Sequence, residues 1–163
     1  FDISEADADR LLHLLEESVR VKERIVTADP REKGIRRALN LGHTVGHAFE
    51  SIALERHAPV PHGQAVAWGT LVEMILSHIK TGFPSGHLHT FASYLKNQGY
   101  GVPSITCDDY PRLISLMRHD KKNDTPDAIN FTLLREVGEP MIDQTACEEE
   151  IKTALDIFRD LLQ

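Results

Sequence analysis

Arg36-Arg37-Ala38-Leu39-Asn40-Leu41-Gly42-His43-Thr44-Val45-Gly46-His47-Ala48-Phe49-Glu50 is the stretch whose reading decides the fold. Taken at 3.6 residues per turn, it lays two faces along one predicted helix. Asn40, His43 and His47 fall on one face at steps of three and four, with Arg36 about one turn earlier on the same side. Val45, Ala48, Phe49 and Ile52 make the other face, which is apolar. Gly42 and Gly46 each precede a histidine, and each lowers helix stability by about 1 kcal/mol relative to Ala. Close approach of a ligand or of another backbone is the expected compensation.

Two imidazoles four residues apart can reach one cation from the same side. Zinc in a catalytic site takes three protein ligands and keeps a further position open. The spacing alone is a weak signal, because such pairs on soluble helices are commonly surface or capping residues. The company strengthens it: an Asn and an Arg on the same face, glycines on both sides, and a third histidine, His62, in Val60-Pro61-His62-Gly63. His62 comes just before a long apolar run. That puts it near a helix N-terminus, pointing into the cleft the two helices share.

Working outward, Ser4 and Asp7 form a start of the capping-box kind, and a helix runs from there to about Val26. Leu11, Leu12, Leu15, Val19 and Ile25 are its expected buried stripe. Lys22 lies near its end, where a cation complements the helix C-terminus. Asp29-Pro30 stops this helix, and a loop through Gly34 leads into the central one. Gly63 to Lys80 is apolar nearly all round, which belongs at the centre of a bundle. Ser85 caps another helix, with Leu88, Phe91 and Leu95 inward and Gly99 as its stop. Asp108 or Asp109 starts a further one, with Pro111 in its first turn and Leu113, Leu116 and Met117 inward, running to about Asp120. The period then changes. Ile129 to Leu134 alternates, Val137-Gly138 marks a turn, and Pro140-Met141-Ile142 returns as a hairpin. Thr145 and Glu148 make a capping box for a last helix with Ile151, Leu155, Phe158 and Leu162 on one face. The expected fold is mainly all-α: one helical domain over residues 1–163, with one small antiparallel β-hairpin and no glycine-rich dinucleotide loop.

A chain of 163 residues with 41% apolar and 26% charged residues can bury a core as a single domain. A net charge of −7 argues against broad nucleic-acid binding, although it leaves room for one cationic pocket. No apolar stretch approaches the ~20 residues a membrane span needs. Cys107 and Cys147 are far apart and read as reduced thiols of a cytoplasmic protein. The chain opens at Phe1 without Met, which reads as a piece of a longer protein.

The order Lys22, then Asp29, Glu32, Gly34 and Arg36, then Leu39 to Glu50, then His62-Gly63, then Asp120-Lys121-Lys122, resembles the C-terminal half of the 3-dehydroquinate synthase family. The block from Lys22 to Glu50 is its most specific part. The resemblance implies a lyase of the shikimate route to aromatic amino acids, dependent on NAD and on zinc or cobalt. It implies metal ligands at His43 and His62, with a Glu from upstream of this chain as the third. It also implies catalytic roles for His47, as a proton-transfer or phosphate-contact group, and for Lys22, and substrate contacts at Lys22, Arg36, Asn40, His47 and Lys121, with Lys122 as the alternative to Lys121. Arg37 is expected to be ordinary solvated surface. NAD is expected on an N-terminal domain absent from this chain, and the full-length enzyme is expected as a homodimer that takes a sugar-acid phosphate. Two positions depart from the family pattern: Gln64 stands where Glu is frequent, and Asn123-Asp124-Thr125-Pro126 follows the lysines where a Gly is common.

Competing readings are another sugar-phosphate cyclase and the helical half of a metal-dependent alcohol dehydrogenase. The anion-suited trio Lys22, Arg36 and Asn40 favours a keto-acid phosphate over a neutral polyol. A helical metal phosphohydrolase would rest on His119-Asp120 alone, and a plain helical interaction module would leave the histidines incidental.

Overall fold

The computed structural model describes residues 8–119 and 129–163. The Ser4/Asp7 cap and Asp120-Lys121-Lys122 lie outside the described residues. Six α-helices and one two-stranded antiparallel sheet make up the described fold: α1 (Ala8–Ala28), α2 (His43–Glu55), α3 (His62–Thr81), α4 (Ser85–Asn97), α5 (Tyr110–His119), β1 (Ile129–Glu136), β2 (Glu139–Ala146) and α6 (Glu148–Leu162). No described helix is long and apolar enough to cross a membrane.

The apolar helix α3 takes the centre, as its composition requires. It meets α2, α4, α6 and β1. Ala65, Trp68, Leu71, Val72, Ile75 and Leu76 are all buried. The apolar face of α2 closes on it through Val45, Ala48, Phe49 and Ile52. Phe49 packs edge-on to Trp68 and stacks on Phe158 of α6, with ring centroids 6.2 and 5.5 Å apart. The expected face of α6, Ile151, Leu155, Phe158 and Leu162, is buried in full. On β1, Ile129, Phe131 and Leu133 alternate into the core.

Three expectations are corrected. The stretch from Arg36 to Glu50 is not one helix. A short 3-10 helix covers Ile35–Asn40, the chain breaks at Leu41-Gly42, and α2 begins at His43. Gly42 has φ +80°, a conformation that favours glycine. A Cβ there would stand 2.8 Å from both the Thr70 amide and the Val66 carbonyl oxygen of α3. The glycines are therefore explained by approach of a backbone. Glu73 of α3, fully buried, supplies the missing cap. It accepts the Gly42 amide at 2.6 Å and the Val45 amide at 3.3 Å. Two donors that a helix start leaves without partners are thereby satisfied.

The stripe on α1 is not buried. Leu12, Leu15 and Val19 are 65%, 56% and 64% exposed, and Leu11 is also exposed; Ile25 alone is half-buried. The helix meets the described body chiefly at the 3-10 segment, so little of the stripe has anything to pack against. Lastly, Thr145 does not cap α6. It pairs with Asn130 inside the hairpin, which runs on to Ala146. The capping box moves two residues on, to Cys147 and Glu150.

Glu73→Ala is expected to cost about 2–4 kcal/mol of unfolding free energy, because it strands two buried N–H groups. Glu73→Gln, which keeps one acceptor, should lose less. Urea denaturation of the two variants checks the order.

Candidate functional site

The break at Gly42 brings two helix starts together. His43 is the first residue of α2, His47 lies one turn on, and His62 is the first residue of α3. Their ring centroids are 5.6 Å (His43–His47), 5.6 Å (His43–His62) and 5.8 Å (His47–His62) apart. The three imidazoles thus form one cluster, half-buried at His43 and exposed at His47 and His62.

Hydrogen bonds orient two of the rings. His43 Nδ1 lies 3.2 Å from the Leu41 carbonyl oxygen, which can only accept, so Nδ1 carries the proton and the lone pair is on Nε2. His62 Nδ1 lies 3.1 Å from a Glu50 carboxylate oxygen, and the same tautomer follows. A carbonyl or carboxylate behind the distal nitrogen is how metal-ligating imidazoles are held. Among the described residues, no group of three or more His, Cys, Asp and Glu side chains is placed to hold a metal by itself. Two oriented imidazoles are a partial donor set, and they fit a metal completed from elsewhere.

Beside the cluster is a cavity lined by Arg37, Asn40, His43, Thr44 and His47 on one wall, and by Met117, Asn130, Phe131, Thr132 and Asp143 on the other. The loop leading into it is tied by Asp29. Its carboxylate accepts the amides of Lys33 (3.1 Å), Gly34 (2.7 Å) and Arg36 (3.2 Å). Those donors, Lys33 first, hold the Asp29 carboxyl below the usual carboxylate range. Asn40 donates from its amide to Glu32 at 3.1 Å, which fixes which way its side chain faces.

Of the residues singled out in the sequence, His43, His47, His62 and Asn40 come together. Arg36 does not line the cavity; its guanidinium donates to the Pro30 carbonyl at 3.0 Å. Lys22 is exposed on α1 and also stays outside it. The 3-10 geometry is the reason. Three residues per turn put Arg37, not Arg36, above Asn40, and Arg37 reaches Asp143 of β2. The sequence reading missed Arg37, Asp143, Glu50 and Glu73. Only Glu50 carried a signal, standing three residues after His47 on the same face of α2.

A family model described as 3-dehydroquinate synthase C-terminal matches residues 2–123. The 3-dehydroquinate synthase of Parabacteroides distasonis is 47% identical over 160 residues, 98% of this chain and 45% of that protein. That of Leptospira interrogans is 37% identical over 149 residues, 91% of this chain and 40% of that protein. The chain therefore spans less than half the length of the relatives it matches. Two solved structures share the fold. A 2-deoxy-scyllo-inosose synthase, complexed with carbaglucose-6-phosphate, NAD+ and Co2+, superposes with a TM-score of 0.74 at 21% identity, over 95% of this chain and 42% of its own. A 2-epi-5-epi-valiolone synthase from Streptomyces hygroscopicus, with NAD+ and Zn2+ bound, gives 0.71 at 18%, over 94% and 41%. On the family match and on relatives above 30% identity across nearly its whole length, this chain belongs to the 3-dehydroquinate synthase family, in the part that forms the C-terminal domain.

Proposed function

We propose that the chain is the metal- and substrate-binding part of a cytoplasmic 3-dehydroquinate synthase. The full enzyme would convert 3-deoxy-D-arabino-heptulosonate 7-phosphate to 3-dehydroquinate and phosphate, a lyase step on the shikimate route, as a homodimer with NAD on its N-terminal domain. The observation that carries this reading is the triangle of His43, His47 and His62 beside a polar cavity.

His43 and His62 would hold Zn2+ or Co2+ through Nε2, with Leu41 and Glu50 keeping the rings in that tautomer. A Glu from the rest of the enzyme would be the third ligand. When bound, the metal supplies Lewis acidity to the substrate hydroxyl that is oxidised. NAD, held by the N-terminal domain, would supply reversible hydride acceptance for that hydroxyl. Over the whole reaction the substrate would lose phosphate and close its carbocycle by an intramolecular aldol. His47 is assigned the proton-transfer role, because an imidazole nitrogen can accept a proton and give it back. Asn40 orients the substrate from the cavity wall. Lys22, Arg36 and Lys121 are assigned outer contacts to its carboxylate and phosphate, as orienting charges.

Phosphate release on adding the heptulosonate phosphate, NAD and zinc tests the reading. The full-length enzyme should turn over, and the 163-residue chain alone should not. A full-length enzyme that leaves this substrate untouched contradicts the proposal. Turnover by the isolated chain contradicts the need for a further domain.

A further inference from the structure

The cavity wall opposite the histidines contains an irregularity in the hairpin. In the hairpin, Phe131 pairs with Gln144 and Leu133 with Met141, so Thr132 faces two residues, Ile142 and Asp143. This is a β-bulge on β2, and bulges re-aim side chains. Asp143 sits in it at φ +55°, a conformation a non-glycine residue adopts at a cost. The result is that both Asp143 carboxylate oxygens receive Nη1 of Arg37, at 2.6 and 2.7 Å. Arg37 is also tied at Nε, which donates to the Glu32 carbonyl at 3.3 Å, and at its own carbonyl, which accepts the Thr132 hydroxyl at 2.9 Å. Among the described residues its Nη2 group takes no protein partner.

A pair with 34% and 55% of its side chains exposed adds little to stability, so strain at Asp143 is not offset by the ion pair. What the arrangement does achieve is a fixed guanidinium on the wall that carries Asn40, His43 and His47, with one nitrogen left over. The cavity lining is rich in donors, and among the described residues its one carboxylate, Asp143 on the opposite wall, is already engaged by Arg37.

We propose that Arg37, held by Asp143, is a substrate-contact residue that grips an oxyanion of the substrate, phosphate or carboxylate, through Nη2. The two N–H donors of a guanidinium Nη2 make charge-assisted hydrogen bonds to either group. The inference rests on the reading under Proposed function for the identity of the substrate, but not for the anion site itself.

The test is equilibrium titration of the full-length enzyme with inorganic phosphate and, separately, with acetate, followed through histidine ring NMR signals. One of the two should bind the wild type with shifts at the cluster, and which one tells the group that Arg37 takes. Its dissociation constant should rise at least tenfold in Arg37→Ala at an unchanged melting temperature, and Arg37→Lys should recover part of the loss. Asp143→Ala should raise the same constant by a smaller factor. In turnover, Arg37→Ala should raise KM for the sugar-acid phosphate at least tenfold while kcat stays within a few-fold. If Arg37→Ala binds both anions as tightly as wild type, or if neither anion binds the wild type, the proposal is wrong. An unchanged constant in Asp143→Ala removes Asp143 from it. An enzyme that binds the anion through Arg37 yet does not turn over the heptulosonate phosphate would instead sink the functional reading alone.

Discussion

Gly69→Ala is expected to destabilise the protein by about 3 kcal/mol, the top of the usual range for overpacked cores. A Cβ on Gly69 would stand 2.1 Å from the Gly42 carbonyl oxygen, 2.6 Å from the Gly46 amide nitrogen and 3.0 Å from the Gly46 Cα. All three are backbone atoms, so no side chain can swing aside to make room. From the other side, a Cβ on Gly46 would meet the Val66 Cα at 3.0 Å and the Ala65 carbonyl oxygen at 3.1 Å. Helices α2 and α3 are thus in main-chain contact through Gly42, Gly46 and Gly69. Alanine would gain about 1 kcal/mol of helix propensity over glycine, which is too little to offset the clash. Gly86→Ala in α4, where nothing lies within 4 Å of the added carbon, is the control and should lose nothing. Urea denaturation of both variants measures the difference. Gly69→Ala also bears on the site, because the same contact holds His43 and His47 against His62.

His43→Ala should lower kcat/KM of the full-length enzyme by roughly a thousandfold or more, about 4 kcal/mol of transition-state stabilisation. The ring is half-buried at the first residue of α2, beside the Leu41 carbonyl and the two neighbouring imidazoles, and an unchanged melting temperature of the variant would show that the loss is one of function and not of fold. His47→Ala should also be impaired, within the roughly 10²–10⁴-fold that general acid–base groups contribute, but it should keep its metal. The contrast between the two variants separates a ligand from a proton carrier. Loss of metal in both, or in neither, would contradict the division of labour between them.

Much of the fold was legible because apolar periodicity maps directly onto packing. The all-round apolar helix took the centre, the face of α6 was buried as read, and the alternation after Ile129 became β1. The failures share a cause: each depended on a partner remote in sequence. Gly42 ends a helix only because α3 approaches it and Glu73 caps the break; an acidic residue in an apolar run gives no hint of that. The stripe on α1 was correctly apolar, but a pattern cannot say whether its cover lies within the same chain. At the site, the imidazole cluster was readable from spacing plus one further histidine. That Arg37 and not Arg36 lines the cavity was not legible, because a 3.6-residue period was carried across a segment that turns in three.

The central claim is that two imidazoles from separate helix starts grip one cation. Titration of the full-length, metal-free enzyme with Co2+, read by its visible absorption, tests it most directly. The account predicts one tightly bound Co2+ per chain in wild type and in His47→Ala, with that site lost in His43→Ala and in His62→Ala alike. Retention of wild-type affinity when either His43 or His62 is removed would contradict it.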